Sequence, residues 1–315
     1  QAEIPRASRR LDEPADTVPP AGAREEPFTF SGGSAPLTGT LTLPATSGPV
    51  PVAVIVSESG AIDRNGNVPP SLRPNTYAQL AWGLGRRGIA ALRFDKRGPA
   101  AMTTFDDLAE DVFGAVLALS TDPRFSRVVV LGHGEGGWLA IRAAVRGAPA
   151  AGVALLATPG RPLLEVLRHR LTRTLDSLRL VQFDSAMARY LRGEPQAGLP
   201  LYLELLLRPA NRRFMESLVS YSAVSELRRV DLPVLVVQGD RDTQVTPADA
   251  EVLRAAAPRG ELAVLAGANH LFKAQDLAGR VGELALEADP RVPIMKEVVE
   301  RIAAWAYALN TAPFR

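Results

Sequence analysis

The sequence predicts an α/β fold, in which a mostly parallel central sheet carries helices on both of its faces. Six apolar runs are typical of strands that are buried on both sides, and segments with helical periodicity separate them. One interval between strands, from residue 152 to residue 233, is much longer than the rest and predicts a helical insertion. The six runs are 52–56, 89–94, 128–131, 153–157, 234–237 and 262–265.

The N-terminal region divides into an arm and a hairpin. Residues 1–27 are predicted to form a flexible arm, because they carry five prolines, many charges and no aromatic side chain. Apolar and polar residues then alternate over Phe28–Phe30 and Leu37–Leu43, and this period of two predicts an antiparallel hairpin. The chain begins at Gln1 rather than Met, as after removal of a signal peptide. A secreted or periplasmic protein fits this start, and so does a trimmed cytoplasmic one.

Three helices are predicted within the core from their apolar stripes and their ends. Gly88 follows the first helix at a C-terminal cap position. Asp106 and Asp107 lie in the first turn of the second helix, where acidic side chains suit the helix dipole. Thr246 and Pro247 provide an N-cap and a first helical residue for the third.

The long interval predicts a helical cap over the sheet, spanning residues 161–229. Leucines recur there at steps of three and four, so the first part of the cap is predicted to be one amphipathic helix. Further helical stretches are expected around 201–207 and 211–224. Residues 28–160 and 230–315 are assigned to the core. The repeating leucines are Leu164, Leu167, Leu171, Leu175 and Leu178.

Composition excludes several classes of function. The 36 basic and 34 acidic side chains give a net charge of +2 and are interspersed, which argues against a nucleic-acid partner. The apolar runs are far shorter than the ~20 residues of a membrane span. The absence of cysteine excludes disulfides, thiolate metal sites and a cysteine nucleophile. No metal or organic cofactor is implied, and the oligomeric state is left open.

A glycine-rich turn between a predicted strand and a predicted helix is the sharpest local motif. Gly132, Gly134 and Gly137 match the dinucleotide-binding pattern G-x-G-x-x-G. That pattern requires an acidic residue about 20 positions later, and the segment 150–159 contains none. The turn also matches the nucleophile elbow G-x-S-x-G, with Gly132 and Gly136 outside and Gly134 in place of the serine. A bare tight turn that packs helix on strand is the third interpretation.

The turn resembles the Gly-His-Ser-Glu-Gly-Gly elbow of α/β-hydrolase-fold esterases and of their dienelactone-hydrolase-like and peptidase-like relatives. Residues 57–67 look like the oxyanion loop of these esterases with its Asp-Arg-Asn-Gly-Asn tail, and residues 94–98 look like their post-strand loop. The resemblance extends from about Pro27 to the C-terminus and is least specific in the cap. It implies an α/β-hydrolase fold and a Ser-Asp-His triad that hydrolyses small carboxylic esters. A peptidase or thioesterase would use the same triad.

His270 is then the candidate general base, because it follows the last core strand, at the edge where such folds place catalytic groups. His133 lies inside the elbow, where the backbone directs its side chain away from the site, and His169 lies on a cap helix. The orienting acid should follow the preceding strand, and the family pattern Gly-x-x-Asp selects Asp242 over Asp240.

The resemblance also implies an oxyanion hole made of two backbone N–H groups. One belongs to Glu135, which follows the centre of the elbow, and the other to Ser59 on the loop after the first core parallel strand. A plain strand-to-helix turn is the alternative for Ser59. The side chain of Glu135 could cap a helix start or pair with Arg97.

Gly134 departs from the family pattern at the nucleophile itself. Glycine adopts the positive φ of an elbow without strain, so the turn is expected to form, but no side chain is present to accept an acyl group. Engineered inactivation of a serine hydrolase is the favoured explanation, because Asp242, His270 and the oxyanion loop are intact. A natural non-catalytic, ligand-binding relative is one alternative. An enzyme that uses a water activated by His270 is the other.

Overall fold

Eight strands form the framework of the fold in a computed structural model that describes residues 17–60, 62–68, 72–97, 103–172, 174–195, 198–275 and 289–309. Ala61 and Gly98, which belong to the loop motifs above, lie outside the described residues. The strands are β1 (Arg24–Ser31), β2 (Pro36–Leu43), β3 (Val50–Val56), β4 (Ala90–Phe94), β5 (Phe125–His133), β6 (Gly152–Leu156), β7 (Val234–Gly239) and β8 (Gly260–Leu265).

The strands make one mostly parallel sheet in the order β1-β2-β4-β3-β5-β6-β7-β8. β1 and β2 form the predicted antiparallel hairpin, with Phe28 opposite Gly39, and β2 runs antiparallel to β4. The other neighbours are parallel. All six predicted core strands are confirmed. The expectation of burial on both faces is wrong for β8, where Val264 is 48% exposed because this strand lies at the sheet edge.

Helices cover both faces of the sheet. They are α1 (Thr76–Arg86), α2 (Phe105–Ser120), α3 (Glu135–Val145), α4 (Leu163–Thr172), α5 (Ser177–Leu191), α6 (Leu201–Leu206), α7 (Arg212–Val219), α8 (Ala223–Leu227), α9 (Pro247–Ala256) and α10 (Lys296–Ala308). α1 and α10 share one apolar cluster with the sheet, and α2, α3, α8 and α9 share the cluster on the other face. None of the described helices is long and apolar enough to cross a bilayer.

The predicted helix ends coincide with local stop and start signals. α1 is followed by Gly88, whose φ of 75° is the left-handed conformation that terminates helices. Thr104 caps α2, and its side chain and backbone bond reciprocally with Asp107. Thr246 plays the same part for α9, where the carboxylate of Asp249 accepts from the Thr246 N–H at 3.0 Å.

The insertion between β6 and β7 is helical, as predicted, but its first part is two helices rather than one. α4 ends at Thr172 and α5 begins at Ser177. The break arises because the carboxylate of Asp176 accepts a hydrogen bond from the Arg179 N–H at 2.9 Å and so caps a new helix. Leu178, predicted to continue the apolar stripe, is 69% exposed.

The insertion has an apolar cluster of its own and a second contact with the core. Phe183, Met187 and Tyr190 of α5 pack within the insertion. Phe214 and Leu218 of α7 instead join the core cluster beside the sheet. Residues 161–229, which were predicted to form the cap, are therefore attached to the core through α7 and α8.

The predicted N-terminal arm is shorter than residues 1–27. Residues 1–16 lie outside the described part of the chain, and β1 begins at Arg24. Glu25 is held in the strand because its carboxylate accepts from the Trp82 indole at 2.9 Å and forms an ion pair with the buried Arg93.

Candidate active site

The glycine-rich turn has the geometry of a nucleophile elbow. β5 ends at His133, Gly134 follows with φ 55° and ψ −123°, and α3 begins at the next residue. The outer glycines permit the sharp reversal: a Cβ atom on Gly136 would lie 2.3 Å from the Val56 carbonyl oxygen, and one on Gly132 would lie 2.3 Å from the Gly136 carbonyl oxygen. Only glycine allows such close backbone approach.

Asp242 and His270 meet beyond the carboxyl ends of β7 and β8. A distance of 2.8 Å separates Asp242 Oδ2 from His270 Nδ1, and both side chains are 0% exposed. Asp242 is fixed in turn, because its Oδ1 accepts from the N–H groups of Gln244 and Val245 at 2.8 and 2.9 Å. Asp240 instead accepts from the Gly267 N–H at 2.7 Å, in an exposed turn.

Glu58 is a member of this site that the sequence did not predict. Its Oε2 lies 3.2 Å from His270 Nε2, the nitrogen that faces the nucleophile in a triad. A Cβ atom on Gly134 would lie 2.9 Å from Glu58 Cβ and 3.4 Å from Glu58 Oε2. The space beside Gly134 is therefore occupied by the Glu58 side chain. The only available signal was an acidic residue between two serines in the oxyanion-loop motif.

The three side chains form a charged cluster. Burial by itself lowers the pKa of His270, but the charge and hydrogen bond of Asp242, together with those of Glu58, raise it to about 10. Burial raises the pKa of Glu58, yet the hydrogen bond and charge of His270 outweigh it and hold this pKa well below its usual value. Burial also acts to raise the pKa of Asp242, but the charge and hydrogen bond of His270 lower it overall. His270 is thus protonated at neutral pH and lies between two carboxylates.

Stability is expected to decrease as the pH rises from 7 to 10. His270 is protonated in the folded chain up to pH about 10, whereas an unfolded histidine loses its proton near pH 6.5, so unfolding releases a proton in this window. The free energy of unfolding should fall by about 1.4 kcal/mol per pH unit there. Urea unfolding at pH 7, 8, 9 and 10 measures it. In the Glu58→Gln variant the folded-state pKa of His270 should be lower, so its decline should level off at a lower pH, and a flat profile for the unaltered chain would refute the assignment.

His133 belongs to a hydrogen-bond chain beneath the site. The Glu58 N–H donates to the Tyr77 hydroxyl at 2.9 Å, the hydroxyl is 2.9 Å from His133 Nδ1, and His133 Nε2 is 2.9 Å from the His270 carbonyl oxygen. A carbonyl only accepts, so Nε2 carries the proton and Nδ1 accepts from Tyr77. Burial lowers the pKa of His133 to about 4, which keeps the ring neutral. Its side chain bonds to the Tyr77 hydroxyl and to the His270 backbone, and its ring centroid lies 4.8 Å from that of His270.

The side chain of Glu135 pairs with Lys96, not with Arg97. Lys96 Nζ donates to Glu135 Oε1 at 2.8 Å and to the Glu58 carbonyl oxygen at 2.9 Å. Arg97 binds the buried Asp111 instead. Lys96 therefore joins the start of α3 to the loop after β3, and neither sequence-based alternative for Glu135 anticipated it.

The two predicted oxyanion donors occupy different local settings. The N–H of Glu135 is the first of α3, where helices leave amides without an intrahelical partner. Ser59 follows Glu58 in an exposed part of the loop. Since the Glu58 N–H is engaged by Tyr77, Ser59 is the next amide along this loop that could serve. His169 lies in the last turn of α4 and takes no part in the cluster.

A metal site is poorly supported by the donors present. Ligand atoms of Glu58, His133 and His270 lie within 4.8 Å of one another. Both nitrogens of His133 are hydrogen-bonded within the protein, and His270 Nδ1 is bonded to Asp242. Only two residues of this cluster, Glu58 and His270, are left to supply ligands, fewer than zinc sites use.

The chain is similar to known proteins of one family. A model of the alpha/beta hydrolase family matches residues 65–278. Esterase EstD of Thermotoga maritima is 31% identical over 299 residues, which cover 92% of this chain and 69% of EstD. The esterase domain of a Rhodothermus marinus protein has a TM-score of 0.55 at 21% identity, over 90% of this chain and 98% of that one. Est1E from Butyrivibrio proteoclasticus has a TM-score of 0.56 at 15% identity, over 90% and 99%. The chain therefore belongs to the alpha/beta hydrolase family and is esterase-like within it.

Proposed function

We propose that this chain carries the framework of a serine carboxylic-ester hydrolase for small-molecule esters, and that Gly134 removes serine-based acyl transfer from it. One observation supports the proposal above the others. The buried Asp242–His270 pair, at 2.8 Å, directs His270 Nε2 toward an elbow whose central residue has the positive φ of a nucleophile.

Each part of this framework has a separate role. Asp242 holds His270 in one tautomer and stabilises its charged form. His270 would take the proton from a nucleophile at position 134 and return it to the leaving alcohol. The N–H groups of Ser59 and Glu135 would stabilise the oxyanion that forms when the ester carbonyl is attacked. An ester rather than a peptide is favoured by the relative at 31% identity, which is an esterase.

The Glu58 side chain occupies the space that a side chain at position 134 would need. This supports Gly134 as a native residue rather than an isolated inactivating change. The Glu58 side chain would meet any Cβ at position 134, at 2.9 Å between the two Cβ atoms. A serine at this position needs the loop side chain to be smaller. The Glu58 side chain also occupies the space in which an attacking water would lie. While it is paired with Glu58, His270 has a pKa raised to about 10, and this argues against its use as the base for such a water at neutral pH.

The test is to rebuild the serine site with both changes, Gly134→Ser and Glu58→Gly, and to assay hydrolysis of an activated short-chain ester. Strong esterase activity, with labelling of the introduced serine by a fluorophosphonate, supports the proposal. A folded double variant that neither reacts with the fluorophosphonate nor hydrolyses the ester refutes it.

A further inference from the structure

A carboxylate oxygen of this protein occupies the neighbourhood that a serine hydroxyl would take. Glu58 Oε2 is 3.2 Å from His270 Nε2 and 3.4 Å from the position of a Cβ atom on Gly134. The Glu58 side chain is 17% exposed, whereas its partner His270 is fully buried. A potential nucleophile is therefore held against the Asp242–His270 pair from the loop side instead of from the elbow.

We propose that Glu58 is a catalytic residue of this chain, whose carboxylate attacks acyl compounds that have weakly basic leaving groups, such as aryl esters and aryl thioesters. This inference rests on the proposed function only in taking a carboxylic-ester-type substrate at the same site. Glutamate and aspartate carboxylates act as covalent nucleophiles in other enzyme classes.

The first step transfers the acyl group to Glu58. Glu58 Oε2 forms a bond to the acyl carbon, and the bond between that carbon and the leaving group breaks. The leaving group departs with the bonding electron pair and takes the proton from His270 Nε2. The products are a mixed anhydride at Glu58, a neutral His270 and a free phenol or thiol.

The second step returns the site to its starting state. A water oxygen attacks the acyl carbon of the anhydride while His270 Nε2 takes one of its protons. The bond between this carbon and the Glu58 oxygen then breaks, which restores the Glu58 carboxylate. The carboxylic acid product leaves, and His270 is again protonated beside Asp242. Overall, one acyl compound and one water give one acid and one leaving-group alcohol or thiol.

The backbone of Glu58 is fixed on both sides, which holds its carboxylate in position for attack. Its N–H donates to the Tyr77 hydroxyl at 2.9 Å, and its carbonyl oxygen accepts from Lys96 at 2.9 Å. Tyr77 is itself buried, and the Lys96 side chain is 7% exposed. Support of this kind is what a reacting group requires to keep its geometry.

Direct contact with His270 determines the substrate class. A carboxylate whose pKa is held low by His270 is a weak base, so after its attack it is itself expelled again unless the other leaving group is also weakly basic. Phenolates and aryl thiolates meet this condition, and His270 supplies the proton that they take up. Alkyl esters, with strongly basic alkoxide leaving groups, are therefore excluded as good substrates. At 3.2 Å, Nε2 and Oε2 are in direct contact with no water between them, so His270 can pass its proton to a leaving group on the carbon that Glu58 attacks.

The experiment compares the unaltered chain with Glu58→Gln on phenyl acetate, S-phenyl thioacetate and ethyl acetate. The unaltered chain should hydrolyse the two phenyl compounds and not ethyl acetate. Glu58→Gln should lose roughly 100-fold or more, still less than the ~10⁶ that removing its serine costs a serine protease. Glu251→Gln, an exposed change on α9, is the matched control and should keep full activity. If Glu58→Gln fails to fold, Glu58→Asp replaces it, with an expected loss of at least about 10-fold from the misplaced oxygen.

Added hydroxylamine distinguishes a nucleophile from a base. A common acyl intermediate gives one ratio of hydroxamate to acid for phenyl acetates with different ring substituents. A ratio that varies with the leaving group would overturn the covalent role, and so would a Glu58→Gln variant with more than a tenth of the activity. An unaltered chain that is inert toward all three substrates would also overturn it. The rebuilt serine site lacks Glu58, so its activity tests the proposed function independently.

Discussion

A chain that combines Gly134→Ser with Glu58→Gly is expected to hydrolyse p-nitrophenyl acetate several orders of magnitude faster than either single variant. Loss of the serine in a serine protease costs about 10⁶ in kcat, and the double variant reverses such a loss. Serine alone should not suffice, because its Cβ would lie 2.9 Å from Glu58 Cβ. The Glu58→Gly change removes this contact and also removes the carboxylate that competes for His270 Nε2.

Alanine at position 58 separates the steric effect from the charge effect. Glu58→Ala with Gly134→Ser removes the carboxylate but keeps the Cβ that would collide, so its rate should fall between those of the Gly134→Ser single variant and the double variant. Ester hydrolysis by stopped flow, with a burst of one equivalent of p-nitrophenol, is the measurement. Equal rates for glycine and alanine at position 58 would show that the contact between the two Cβ atoms is unimportant. The serine at positive φ should cost ~1–3 kcal/mol of stability.

Asp242→Asn, introduced into the same double variant, is expected to reduce kcat by about 10⁴, the loss seen when this acid is replaced in a serine protease. Asp242 Oδ1 accepts from two backbone N–H groups, of Gln244 and Val245. The amide oxygen of an asparagine should keep these two bonds, which turns its NH₂ group toward His270 Nδ1. His270 would then be held with its proton on Nε2, the tautomer that cannot accept a proton from the introduced serine.

Asp240→Asn is the matched control for this change. Asp240 lies in the same turn, is 40% exposed and accepts from the Gly267 N–H, whereas the carboxylate that contacts His270 is that of Asp242. The control should keep its kcat within a factor of about 3, as expected for a surface substitution away from the site. Comparable losses in the two variants would mean that the activity depends on the turn itself and not on the Asp242 carboxylate that contacts His270.

The features that could be predicted from the sequence are those determined by residues that are close together along the chain. The strands follow from short apolar runs, and the elbow follows from glycines whose missing Cβ atoms permit approaches of 2.3 Å. The pairing of Asp242 with His270 was predictable because each follows a parallel strand, and parallel strands end at one edge of the sheet. The helix break before α5 also has a local cause, the N-cap residue Asp176. It was not predicted because the leucine periodicity continues across the break.

The features that escaped prediction depend on contacts between distant segments. Glu58 and His270 are 212 residues apart, and no local pattern indicates that the loop after β3 reaches across the elbow. The partner of Glu135 was missed for the same reason, since Lys96 follows a different strand. The exposed face of β8 depends on the position of this strand in the sheet order, which strand-forming patterns leave undetermined.

The chain of hydrogen bonds through Tyr77 and His133 makes two loops mechanically dependent on each other. It begins at the amide of Glu58, on one loop, and ends at the carbonyl of His270, on the other. Either loop can therefore open only if a hydrogen bond of this chain breaks. Amide hydrogen exchange at Glu58 should therefore occur by the same cooperative opening that releases the His270 loop. Loss of the Tyr77 hydroxyl would uncouple them and turn one opening event into two with different rates.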